Sequence, residues 1–151
     1  MDLAPTQIPW RPFRLAALLA PCVVLALAAC SAKRPDHPPV HPVRGQVFFN
    51  GKPAAGAVVT FHPVGNPYPE AVKPQAIVEA DGTFRPNSFE LRDGAPAGEY
   101  TLTLYWPSGR GPIGPDRLMG QYSNPAQSVF KITVKDGDNV LDPIRIESFP
   151  V

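Results

Sequence analysis

Seventeen of the 21 prolines in this chain fall after residue 30, and they limit what it can fold into more than any other feature. Each proline removes a backbone donor and blocks the interior of a helix, so the density argues against an α-rich domain. Apolar residues still make up 44% of the chain, too many for a wholly disordered one. Short strands separated by stiff turns satisfy both conditions. Charge narrows the partners: 14 Lys and Arg against 13 Asp and Glu leave neither a nucleic-acid footprint nor a polybasic patch for anionic lipid.

Residues 11–30 read RPFRLAALLAPCVVLALAAC, two arginines followed by an apolar run from Leu15 to Ala29. As a helix that run would reach about 22 Å, short of the roughly 30 Å hydrocarbon core of a bilayer. It is therefore expected to be the core of a signal peptide, not a stable transmembrane helix. Its ending, Leu27-Ala28-Ala29-Cys30, resembles the lipobox of bacterial lipoproteins. The resemblance implies a diacylglyceryl group on the Cys30 thiol and cleavage by signal peptidase II between Ala29 and Cys30. Small residues before the cut let an extended backbone enter a tight groove, and a thiol is a good nucleophile for lipid transfer. Cys22 suits the role less, because it follows Pro21 inside the apolar run. In bacteria with two membranes, the resemblance implies that Ser31, standing where an aspartate would mark retention at the inner membrane, permits transfer to the outer one. The expected location is the cell envelope, with the membrane as partner through a lipid anchor.

Residues 31–42, SAKRPDHPPVHP, contain four prolines and little that is apolar, and read as an extended spacer. His37 and His41 have the spacing of a helical metal pair, but Pro38 and Pro39 between them exclude the helix. The expected boundaries are a leader over 1–29, a lipidated cysteine and linker over 30–42, and one domain over 43–151.

From Val43 onward apolar residues alternate with polar ones, the period of half-buried strands. Val43, Gly45, Val47 and Phe49 share one face, and Asn50-Gly51 signals a hairpin. Further strands are expected at 57–62 and 75–80, then at 83–85 after Asp81-Gly82, and at 100–106, 130–134 and 144–146. The fold class read from this is all-β: a seven-stranded antiparallel β-sandwich. No amphipathic helix is expected after the leader.

The segments VRGQVFFNGKPAAGAVVTFHPVG at 43–65, EADGTFRPNSF at 79–89 and APAGEYTLTLYW at 95–106 resemble carboxypeptidase regulatory-like domains. The shared pattern is an N-G-x-P turn, a G-A step, a D-G-x-F turn and a P-A-G-x-Y strand. The resemblance covers most of 43–147 and implies a prealbumin-like (transthyretin-like) sandwich that stands alone in lipoproteins, without a peptidase. It implies no chemistry, since fold does not fix function.

Enzymes on related sandwiches need histidines that this sequence does not supply. Hydroxyisourate hydrolases and intradiol dioxygenases use several, whereas His62 alone lies within 43–151. A Ser-His-Asp arrangement would rest wholly on it. Gly109-Arg110-Gly111-Pro112-Ile113-Gly114 matches G-x-G-x-x-G, but prolines interrupt it and no helix is expected to follow. Asp136, Asp138 and Asp142 read as turn residues rather than calcium ligands, because no distal glutamate or repeat accompanies them. No enzyme activity, metal or cofactor is expected. The long stretch 107–127 is the candidate binding region for an envelope protein or polysaccharide, through Trp106, Arg110, Arg117 and Tyr122. Its competing reading is a crossover in which Leu118 and Tyr122 pack on the core.

Overall fold

A computed structural model describes residues 37–65, 72–109, 111 and 113–148. The expected leader, the Ala29-Cys30 cleavage site and Arg110 lie outside the described residues. The described part is all-β, its non-extended regular element being one 3₁₀ turn at Pro125–Gln127.

The period-two pattern becomes strands near the places expected, though the one expected over 75–80 ends at Ile77. In β2 (Val43–Phe49) the side chains of Val43 and Val47 are buried while Arg44 is exposed. Asn50 and Gly51 take φ of 50° and 75°, the two left-handed residues of a tight hairpin turn into β3 (Lys52–Pro53). One sheet is antiparallel throughout, in the order β5 (Gln75–Ile77), β4 (Val58–Pro63), β8 (Gly98–Tyr105), β9 (Lys131–Val134). Its inner face carries Val59 and Phe61 opposite Leu104 and Leu102.

The second sheet is built around β2, and here the antiparallel expectation fails. On one side β2 pairs antiparallel with β6 (Thr83–Phe84) and β3. On the other it pairs parallel with β10 (Asn139–Val140) and β11 (Ile144–Ile146). The path of the chain explains the direction. After β9 it turns through Lys135–Asp138 and changes sheets at the end of the domain where β2 starts. A strand laid down from that point runs alongside β2, so parallel pairing follows. Asn139 anchors the crossing: its amide donates to the Lys135 and Gly137 carbonyls and its oxygen accepts from the Lys135 N–H.

The domain also begins earlier than expected. The short β1 (Val40–His41) pairs with β7 (Ala95–Pro96), and the compact unit starts at His37 rather than Val43. The last residues of the supposed spacer are thus part of the fold. A Cβ on Gly94 would lie 1.9 Å from the His41 carbonyl oxygen, so only glycine admits this docking.

Both sheets close on one core. The Phe61 ring meets Phe84 and Tyr100 edge-on, at centroid separations of 6.4 and 5.8 Å. Phe84 covers Gly45 on the neighbouring strand, where a Cβ would come within 2.4 Å of the ring. Both cysteines of the sequence precede His37, so packing holds this unit without a disulfide.

Candidate functional site

The stretch after β8 was the candidate region, and one carboxylate organises it. Asp116 Oδ1 accepts from the N–H groups of Trp106 and Leu118 at 2.9 and 3.0 Å, and Oδ2 accepts from Gly120 N–H at 2.9 Å. Backbone bonds from Arg117 N–H to the Trp106 carbonyl and from Ser108 N–H to the Pro115 carbonyl close the same loop. The Tyr105 hydroxyl holds Gly114 by both its N–H and its carbonyl. Leu118 is thereby driven into the core at 4% exposure.

The expected binding residues separate into two groups. Trp106 donates from its indole nitrogen to the Ala55 carbonyl at 3.0 Å and meets Phe49 edge-on. The Arg117 guanidinium lies 4.7 Å from the centre of the indole ring, occupying one face of it. Tyr122 packs instead with Phe130, at a centroid distance of 5.6 Å, against the core. Arg110 lies outside the described residues. Leu118 and Tyr122 therefore pack as the crossover reading has it, and the Trp106 ring is already partnered.

His62 projects from β4 on the outer face of the antiparallel sheet, with Nε2 2.8 Å from the Thr103 hydroxyl. Burial, then the charge of Lys73, holds its pKa below the ordinary histidine range. A neutral imidazole paired with a threonine has the elements of a base and a hydroxyl, yet Thr103 is only 7% exposed and gives a substrate little access. His37 and His41 join the domain as well. The His37 ring stacks on Phe89 at 3.9 Å, and His41 Nδ1 accepts from Gly137 N–H. Two of the three aspartates considered for calcium face separate side chains, Asp136 at 3.3 Å from His41 Nε2 and Asp138 at 3.8 Å from the Arg44 guanidinium. Among the described residues no three acidic, histidine or cysteine side chains gather in a metal-holding group.

Two features were not anticipated from sequence. One is an open groove of about 560 Å³ between β9 and the β10–β11 edge, lined by Val129, Ile132, Val140 and Leu141 among others. The other is the loop 87–94. Asp93 gathers the N–H groups of Ser88, Phe89 and Glu90 at 2.7, 2.9 and 2.9 Å. Its partial burial acts to raise the carboxyl pKa, but these three bonds outweigh that and hold it below the ordinary carboxylate range. Asn87 accepts from Arg92 N–H, and Arg92 reaches Glu79 at 2.8 Å. Phe89 and Leu91 are left outward, at 37% and 82% exposure. An aspartate whose donors precede it in sequence has no simple motif, which is why the hub was not legible.

The sequence matches no family model and no curated protein. Two solved structures are similar to the chain. A DUF3823 family protein from Parabacteroides merdae aligns at 18% identity and a TM-score of 0.41, over 73% of this chain and 47% of that one. A DUF3823 family protein from Bacteroides ovatus aligns at 18% identity and 0.39, over 69% and 43%. The chain spans less than half the length of either.

Proposed function

We propose that this chain is an envelope lipoprotein, cut before Cys30 and held to a membrane by a diacylglyceryl group on that residue. Its domain is read as a carboxypeptidase regulatory-like, prealbumin-type sandwich with a structural or interaction role and no catalysis. The observation that carries the reading is Leu27-Ala28-Ala29-Cys30 closing the apolar run. Both cysteines precede the folded unit, so no disulfide within the domain claims the Cys30 thiol. Two acyl chains give lasting attachment, each buried methylene contributing roughly 0.8 kcal/mol.

Metabolic labelling with a palmitate analogue tests the anchor. The wild type is expected to carry the label and Cys30→Ala to lose it. Continued labelling of Cys30→Ala places the lipid elsewhere, and an unlabelled wild type returns the leader to an ordinary secretory signal.

A further inference from the structure

The loop 87–94 has the chemistry of a tip that meets a lipid surface. Its carboxylate hub uses the N–H groups of Ser88, Phe89 and Glu90, Asn87 takes that of Arg92, and the Pro86 carbonyl takes that of Gly94. The Ser88 hydroxyl in turn donates to the Gly94 carbonyl at 2.7 Å. Backbone donors that are already bonded lose little when water is withdrawn, whereas open ones make such an approach costly. Beside the exposed Asn87, Glu90 and Arg92, the loop turns two apolar side chains outward, Leu91 at 82% exposure and Phe89 at 37%. Glu90, exposed between them, keeps such a tip at the level of the headgroups.

Position then selects the occupant. The chain enters the domain at His37, whose ring stacks 3.9 Å from Phe89, so the loop lies where the tether arrives. Seven residue steps separate Cys30 from His37, and a fully extended chain spans at most about 25 Å over them. Val64 and Val129 are exposed in other loops, whereas Ile113 and Met119 follow the far end of β8, about 23 Å along that strand. We infer that Phe89 and Leu91 rest in the headgroup region of the bilayer that carries the lipidated Cys30, fixing which end of the sandwich faces the membrane. This inference rests on the lipoprotein reading above and adds an orientation to it.

The test uses the lipidated protein in vesicles of phosphatidylethanolamine and phosphatidylglycerol. The sequence after Cys30 contains no further cysteine, so Leu91→Cys, Met119→Cys and Ala97→Cys each accept a single nitrobenzoxadiazole label. The label at 91 is expected to shift to the blue and to be quenched by lipids spin-labelled near the headgroup, while the label at 119 stays water-like. Quenching at Ala97, exposed beside the same loop, is expected to fall at least about twofold when Leu91→Glu is added. Leu91 is exposed enough for that change to leave folding intact. Water-like signals at both 91 and 119, or quenching at 119 alone, overturn the orientation while the anchor stands. Failure of the protein to float with the vesicles removes the anchor itself, and the orientation with it.

Discussion

Two loops of this domain are each gathered around one aspartate, and they do opposite things. Asp116 takes one of its three N–H groups from Trp106, the residue that leaves β8, and so stitches its loop to the sheet. Asp93 takes all three from Ser88, Phe89 and Glu90, inside its own loop. The first arrangement turns Leu118 inward and the second leaves Leu91 outward. The same local chemistry, three backbone donors on one carboxylate, makes scaffold or a projecting tip according to where the donors come from.

The sharpest way to break this contrast is to truncate the two leucines. Leu118→Ala is expected to cost about 3 kcal/mol in urea unfolding, since it empties a buried site. Leu91→Ala is expected to stay within about 0.5 kcal/mol, as for an exposed position. Equal costs would mean that the 107–127 loop does not belong to the core.

The aspartates themselves come next. Asp116→Ala strands the part-buried N–H groups of Trp106 and Leu118 and is expected to cost about 2 kcal/mol. Asp93→Asn keeps one acceptor oxygen, and water reaches the N–H groups of Phe89 and Glu90, so about 1 kcal/mol is expected. Amide exchange separates the two loops further. Asp116→Ala should raise exchange in the strands that Leu118 covers, whereas Asp93→Asn should raise it at 88–90 alone.

Acid sharpens the same comparison. The folded-state pKa of Asp93 is depressed, so its contribution is present above the ordinary carboxylate range and is lost as pH falls through the folded value. His62 is depressed as well, through burial first and Lys73 second, so the unfolded chain binds its proton more readily. Stability should therefore begin to fall below the ordinary histidine range and fall again below the carboxylate range. His62→Gln is expected to flatten the first step and Asp93→Asn to reduce the second, which Asp81 shares through its bonds from Thr83, each followed by unfolding across pH. A first step that survives in His62→Gln would assign it to another group.

How far these features could be read in advance depended on whether they are local. Alternation in β2, β4 and β8 and the φ-permissive pair Asn50-Gly51 lie within a few residues, and the strands stand where that periodicity put them. The parallel pairing of β10 and β11 is a property of the path between sheets, which no period of two encodes. β1 was hidden among Pro38, Pro39 and Pro42, whose composition reads as spacer although Val40 and His41 find partners in Pro96 and Ala95. Of the candidate residues, Trp106 and Arg117 do come together, but as a pair closed on each other. Pairing of that kind depends on where Asp116 holds the loop, and a residue list cannot express it.

The smallest effect concerns that pair. Arg117 is exposed and its guanidinium covers one face of the Trp106 ring, a contact worth about 0.5–1 kcal/mol at such a site. Arg117→Ala is expected to cost about that much and to leave the Trp106–Ala55 bond in place, because the indole N–H does not depend on the cation. Arg117→Lys should recover less than the full amount, since a compact ammonium covers less of the ring than a planar guanidinium. Uncovering the ring also bears on the polysaccharide role expected of this region. If Trp106 were a sugar platform gated by Arg117, the alanine variant would bind envelope glycans more tightly than the wild type on an array. If the indole is a clamp on the Ala55 strand connection, the two proteins bind alike and Trp106→Phe costs stability instead, about 1 kcal/mol for the lost hydrogen bond.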